Sequence, residues 1–133
     1  RRVSPMSILI VEDNPTNALI IKHLAKKATD AEIRVASDGA SALAMCHAET
    51  FSMLLVDHLL PGMSGLQFVK AVRLMDRYEH TPVVMITAET EPRLQEEAKA
   101  AGVTAFLHKP VEAVAFRQLL TDHLGNSALQ KSA

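Results

Sequence analysis

Five polar residues have the types and positions expected of one reaction site, because each lies at or just beyond the end of a short apolar run. They are Glu12, Asp13, Asp57, Thr87 and Lys109. Three carboxylates held close together repel, since one pair of unit charges about 4 Å apart costs about 4 kcal/mol at an effective dielectric constant of 20. An oxygen-only cluster therefore favours a hard divalent cation, and Mg²⁺ suits an open site that shares a phosphate.

Such a cluster has a definite chemistry. A carboxylate beside a cation can attack a phosphoryl group and form an aspartyl phosphate. An ammonium group and a hydroxyl can then neutralise and hydrogen-bond the phosphoryl oxygens. The residue types therefore predict phosphoryl transfer onto an aspartate, provided that the fold brings these distant positions together.

Short apolar segments alternate with helix-periodic segments along the chain, as in βαβ units that build a parallel sheet. Five strands are predicted, at Ser7–Val11, Glu32–Ala36, 51–56, 83–86 and 103–108. A helix should follow each strand, at 15–29, from Ser37 or Asp38 through Cys46, at 66–77, from Pro92 to Gly102, and around Val114 to Leu124.

Local residues set the helix ends. Asn14 before Pro15 is a helix start, with Asn as the N-cap and Pro in the first turn. Thr90 or Glu91, leading into Pro92, should be the start of the fourth helix. Gly102 and Gly125 are plausible left-handed terminators of the last two helices.

These elements predict an α/β fold: a (βα)5 doubly wound, five-stranded parallel sheet with helices on both faces. In open sheets of this kind ligands lie outside the carboxyl ends of the strands. Four of the five predicted strands end at the candidate residues, so those residues should meet at one edge of the sheet.

The composition of the chain excludes several classes of protein. The 133 residues suit one domain, and the 48% apolar content excludes disorder for most of the chain. A formal charge of −1 argues against direct binding to nucleic acid or to anionic membranes. The single Cys46 excludes an internal disulfide and fits a reducing cytoplasm, and no apolar run is long enough to cross a membrane.

The chain resembles a known family in four runs: ILIVEDN at 8–14, LLVDHLLPGMSG at 54–65, VVMITA at 83–88 and FLHKP at 106–110. These runs are similar to the receiver domain of two-component response regulators, of the chemotaxis-regulator type with a flavodoxin-like fold. The resemblance covers about residues 6–124 and implies the strand order 2-1-3-4-5. It leaves residues 1–5 as an N-terminal extension and 125–133 as a tail or linker.

The resemblance also implies residue roles. Asp57 would be the phosphoacceptor, with Thr87 and Lys109 against the phosphoryl oxygens. Mg²⁺ would be bound by Glu12, Asp13, Asp57 and the main-chain carbonyl of Leu59. The Lys109–Pro110 bond would be cis, and Thr87 and Phe106 would form a switch that changes a partner-binding face.

The implied function is signalling. The partners would be a histidine kinase or a histidine phosphotransfer protein, with an output domain or target that the sequence does not identify. The chain would not be an enzyme beyond its own phosphorylation and dephosphorylation, although the parent protein could be a hybrid histidine kinase. Leu59, two residues after Asp57, has no polar side chain that could orient an attacking water, so hydrolysis of the phosphoryl group should be slow. Glu89 is the other side chain that could orient water.

The residue types leave two alternative functions open. One is a phosphorylation-independent interaction module on the same fold, although such modules usually lose the Asp or the Lys. The other is a Mg²⁺-dependent phosphatase with an Asp nucleophile, which requires a second Asp where this chain has Leu59.

Overall fold

The computed structural model describes residues 6–88 and 91–124. Five parallel strands form one sheet in the order β2-β1-β3-β4-β5, which confirms the predicted fold class and strand order. The strands are β1 Ser7–Val11, β2 Glu32–Ala36, β3 Met53–Asp57, β4 Val83–Thr87 and β5 Ala105–His108. Every residue of the central strands β1, β3 and β4 is buried, as expected of strands covered on both faces.

A helix follows each strand. The helices are α1 Pro15–Ala28, α2 Gly39–Ala48, α3 Gly65–Val72, α4 Pro92–Ala101 and α5 Ala113–Leu124. Side chains of α1 and α5 pack in one apolar cluster with alternate residues of the strands. Side chains of α2, α3 and α4 pack in a second cluster with the other alternate residues, so the two clusters lie on opposite faces of the sheet.

The helix ends follow the local sequence. The Asn14 side chain accepts a hydrogen bond from the Asn17 main-chain N–H, and Asp38 caps α2 in the same way through Ser41. Gly102 ends α4 with a φ of 116°, a left-handed conformation that favours glycine. Glu91 lies at the N-cap of α4, whereas Thr90, Glu89 and Gly125 lie outside the described residues, as do 1–5 and 126–133.

The prediction that the third helix continues to Arg77 is wrong, because α3 ends at Val72. The Arg73 guanidinium donates to the main-chain oxygens of Tyr78 and Gly102, which holds the following segment in a separate 3-10 turn at Asp76–Tyr78. The buried Tyr78 hydroxyl lies 2.7 Å from the Glu49 carbonyl oxygen. Tertiary hydrogen bonds therefore override the helical periodicity.

The predicted starts of two strands are two residues early. The third strand begins at Met53 and not at 51, and the fifth begins at Ala105 and not at 103. The Phe51 N–H donates to the Tyr78 hydroxyl instead of to a neighbouring strand. The Thr104 hydroxyl accepts from the Val83 N–H, so this residue joins β4 through its side chain as well as its backbone.

Some apolar residues that mark helices face outward. Leu19 and Val114 are 67% and 83% exposed, and the buried face of α1 consists of Ala18, Ile21, Ala25 and Ala28. Periodicity placed these helices correctly but did not identify which apolar residues enter the core. Within residues 6–88 and 91–124, no helix has the length and apolar character needed to cross a membrane.

Candidate functional site

The carboxyl ends of the strands bring the five candidate residues to one edge of the sheet. Asp57 is the last residue of β3 and pairs in register with Ile86 of β4. Thr87, the next residue of β4, pairs with His108 of β5, and the Lys109 N–H donates to the Thr87 carbonyl oxygen at 2.9 Å. Glu12 continues directly from β1, and its N–H donates to the Ala36 carbonyl oxygen of β2.

Three of these residues form a carboxylate cluster. Glu12, Asp13 and Asp57 each offer an oxygen, and the three oxygens lie within 4.8 Å of one another. Glu12 and Asp57 are buried whereas Asp13 is exposed, so the cluster opens to solvent on one side. The donor set is entirely oxygen and is accessible, which is the chemistry of a Mg²⁺ site that keeps some of its waters.

Lys109 supplies the positive charge among the described residues of this edge. Its Nζ lies 3.2 Å from Asp57 Oδ1 and 3.6 Å from Glu12 Oε1. One ammonium group compensates only part of the charge of three carboxylates. The remaining negative charge is a second reason why the cluster fits a divalent cation.

The two carboxylate oxygens of Glu12 have different hydrogen bonding. Oε2 accepts a hydrogen bond from the Asn14 main-chain N–H at 3.1 Å, whereas the buried Oε1 has no hydrogen-bond partner within residues 6–88 and 91–124. Burial raises the pKa of Glu12 to about 7. The hydrogen bond from the Asn14 N–H and the charge of Lys109 lower this pKa, whereas the neighbouring Asp57 raises it further. A buried oxygen without a donor is costly unless an ion or a proton occupies it.

The loop after β3 is packed tightly against the strand end. The Leu59 N–H lies 3.4 Å from Asp57 Oδ1, and the Leu59 side chain is 70% exposed. A Cβ atom on Gly65 would lie only 2.4 Å from the Asp57 main-chain oxygen, so this position requires glycine. The sequence pattern did not predict this requirement, and its one available signal is the Ser64–Gly65 pair before the helix-periodic run.

Phe106 and Thr87 lie on the same face of the sheet. Phe106 pairs with Met85, two residues before Thr87, and alternate residues of a strand share a face. Phe106 is partly buried against the cluster that contains Met85. The bond between Lys109 and Pro110 is cis, as the resemblance implies.

Comparison with known proteins agrees with this arrangement. Residues 8–121 match the family described as "Response regulator receiver domain". The chemotaxis protein CheY of Pseudomonas aeruginosa is 39% identical over 113 residues, which cover 85% of this chain and 91% of that protein.

Solved structures have the same fold. Vibrio cholerae CheY4, crystallised at low pH, superposes with a TM-score of 0.85 at 33% identity and covers 90% of this chain and 99% of that one. The receiver domain of the Pseudomonas aeruginosa sensor histidine kinase PA1611, solved with a magnesium ion in its active-site cleft, has a TM-score of 0.83. Its identity is 24%, and the match covers 92% of this chain and 100% of that domain.

Proposed function

Because this chain belongs to the response regulator receiver domain family, a phosphoacceptor family of two-component signalling, we propose that Asp57 is the residue that becomes phosphorylated. One observation carries the assignment: the buried Asp57 carboxylate ends the central strand β3, 3.2 Å from Lys109 Nζ and beside two further carboxylates. Asp13 is exposed and Glu12 has one oxygen tied to the Asn14 N–H. Asp57 is therefore the carboxylate best placed to act as the nucleophile.

The transfer is a displacement at phosphorus. An oxygen of the Asp57 carboxylate forms the new bond to phosphorus, the bond from phosphorus to the donor's imidazole nitrogen breaks, and that nitrogen keeps the electron pair. Lys109 neutralises charge on the phosphoryl oxygens, and the Thr87 hydroxyl donates a hydrogen bond to one of them. The protein thus provides nucleophile, orientation and charge compensation, and we propose no other enzymatic activity for it.

Mg²⁺ fits the site, and its ligands would be Glu12, Asp13, Asp57 and the Leu59 carbonyl oxygen. When bound, the ion supplies positive charge that draws the phosphoryl oxygens toward the carboxylate. The buried Glu12 Oε1 supports this assignment because it has no hydrogen-bond partner among the described residues.

Phosphorylation would be transmitted through Thr87 and Phe106. Rotation of the Thr87 hydroxyl toward a phosphoryl group changes the space next to Phe106, which lies on the same face one residue pair away. Phe106 is partly buried against the apolar cluster that contains Met85, and it also lines a groove with His108 and Ala115. The surface formed by α4, β5 and α5 would then differ between the two states.

Receiver domains pair with histidine kinases or histidine phosphotransfer proteins, and we propose such a donor for this chain. Its contact surface would include α1, where Leu19 and Ile20 are exposed. Ile20 also lines a groove of about 370 Å³ that reaches Lys109 and Pro110. We place this exchange in the cytoplasm, where a lone buried cysteine stays reduced.

The test is intact-mass measurement after incubation with acetyl phosphate, with and without Mg²⁺. The parent should gain one phosphoryl group only with Mg²⁺, and Asp57→Asn should gain none. Asp38→Asn is the matched control, because Asp38 also follows a strand at this edge of the sheet but is not in the carboxylate cluster. Phosphorylation of Asp57→Asn, or failure of the folded parent to react with acetyl phosphate or a phosphorylated phosphotransfer protein, would contradict the proposal.

A further inference from the structure

We infer that Asn14 is a positioning residue for the metal site. As the N-cap of α1, Asn14 keeps its own main-chain N–H directed at Glu12 Oε2, so that the other carboxylate oxygen, Oε1, is available to bind the cation. This inference rests on the proposed function, because it concerns the same Mg²⁺ site. It assigns a role to a residue whose side chain touches neither the ion nor the phosphoryl group.

The need for such a residue follows from the length of Glu12. A glutamate side chain has one more rotatable bond than an aspartate, so its carboxylate has more orientations and loses more entropy when a cation fixes it. In this structure the carboxylate is already fixed. Oε2 accepts from the Asn14 N–H at 3.1 Å, and Oε1 lies 3.6 Å from Lys109 Nζ, on the side where Asp57 binds the same ammonium group.

The N-cap fixes the Asn14 N–H in turn. The Asn14 side-chain oxygen accepts from the Asn17 N–H at 3.0 Å, and its main-chain oxygen accepts from the Ala18 N–H at 2.9 Å. These two bonds anchor Asn14 to the first turn of α1, and Ala18 anchors that turn in the core. Loss of the side-chain cap frees the first turn, and the N–H that holds Glu12 loses its fixed direction.

The buried Oε1 is the observation that ties this arrangement to a ligand. Glu12 is 2% exposed, and in the part of the chain that the structure describes Oε1 has no hydrogen-bond donor although Oε2 has one. The ammonium group near Oε1, Lys109 Nζ, lies 3.6 Å away, beyond hydrogen-bond distance. The same arrangement satisfies one oxygen and presents the other to the cluster of Glu12, Asp13 and Asp57.

The experiment measures Mg²⁺ affinity by isothermal titration calorimetry for the parent, Asn14→Ala and Asn14→Ser. Asn14→Ala should weaken binding about tenfold, the lower end of the effect expected for groups that orient a metal ligand. Asn14→Ser keeps an N-cap acceptor and should restore most of the affinity. Asp38→Ala is the control for cap loss, since it removes the equivalent cap of α2 and should leave Mg²⁺ affinity within about twofold of the parent.

A second background tests the route through Glu12. In Glu12→Ala no carboxylate remains to accept from the Asn14 N–H, so adding Asn14→Ala to this weaker-binding background should change Mg²⁺ affinity by less than about twofold. Without metal, amide hydrogen exchange at position 14 should be faster in Glu12→Ala than in the parent. Both results would support a role for Asn14 that acts through the carboxylate.

The outcomes separate the two proposals. A parent that does not bind Mg²⁺ would overturn the metal assignment and this inference together. A parent that binds Mg²⁺ while Asn14→Ala binds equally well would overturn the inference alone. An equal loss of affinity in the parent and Glu12→Ala backgrounds would also overturn it, since Asn14 would then act without Glu12.

Discussion

Replacement of Gly65 by alanine should damage both the stability and the reactivity of the protein, whereas the same replacement at Gly39 should not. Each glycine is the first residue of a helix, Gly39 in α2 and Gly65 in α3, and each follows a side-chain N-cap. Neither has a positive φ, so alanine is sterically allowed by the backbone at both sites. The two positions therefore gain equally from the better helix propensity of alanine and differ mainly in what the new methyl group meets.

The magnitudes follow from the contacts. At Gly65 the Cβ atom would lie 2.4 Å from the Asp57 main-chain oxygen and 3.0 Å from His58 Cα, so the backbone must move by more than half an ångström. Forced overpacking of this kind costs about 1–3 kcal/mol. At Gly39 the atoms met belong to the Met63 side chain, with Sδ at 2.9 Å and Cβ and Cγ at 3.1 Å. Rotation of this flexible side chain moves Sδ and Cγ away, so only the contact with Cβ requires a small shift of the main chain. Gly39→Ala should therefore stay within about 1 kcal/mol of the parent.

The assay is urea unfolding followed by far-ultraviolet circular dichroism, together with the rate of Mg²⁺-dependent phosphorylation by acetyl phosphate. Gly65→Ala should unfold at lower urea concentration than Gly39→Ala. It should also react about tenfold or more slowly, because displacement of the reacting group by a fraction of an ångström is costly. Equal stability and equal rates for the two variants would refute the argument that Gly65 sets the position of Asp57.

Three further predictions concern single residues. Burial raises the pKa of Tyr78 to about 12, so the absorbance change of the chain's one tyrosine should come near pH 12. Because burial favours the neutral phenol, the free energy of unfolding should fall by about 3 kcal/mol as the pH rises from about 10 to 12. Titration of the tyrosine near pH 10 in the folded protein would contradict this prediction. Burial likewise raises the pKa of the Cys46 thiol to about 11, so a disulfide reagent at pH 8 should label the native protein about 100-fold more slowly than the unfolded one, and equal rates would count against it. The phosphorylated protein should lose its phosphoryl group at least about threefold faster in Leu59→Asn, where an amide can orient water, and an unchanged half-life would disprove the slow-hydrolysis prediction.

The parallel sheet could be predicted because most of its strands are short apolar runs, whereas its strand order was implied only by the resemblance to receiver domains. Asp57, Thr87 and Lys109 each end or follow a strand. Alternation of strands and helices then places those residues at one edge. The exposure of Leu19 could not be predicted, since periodicity identifies a helix but not which of several apolar residues meets the core. The early end of α3 depends on long-range hydrogen bonds of Arg73, which no local pattern encodes.

The candidate site was accessible to sequence reasoning in its residue types but not in its supporting contacts. Glu12, Asp13 and Lys109 can be recognised in the sequence by residue type and by their positions at the ends of apolar runs. The close approach of Gly65 to the Asp57 carbonyl, and the difference between the two oxygens of Glu12, exist only in three dimensions. Both depend on the main chain of other residues, so the sequence contains no local signal for them.

The most direct test of the account is to locate the phosphorylated residue. The protein is treated with acetyl phosphate and Mg²⁺, reduced with borohydride, which converts an aspartyl phosphate to homoserine, and digested for tandem mass spectrometry. The account predicts homoserine at position 57 alone, with none when Mg²⁺ is removed and none in Asp57→Asn. Conversion at Asp13, or phosphorylation that maps to His58, would contradict the central claim that Asp57 is the phosphoacceptor.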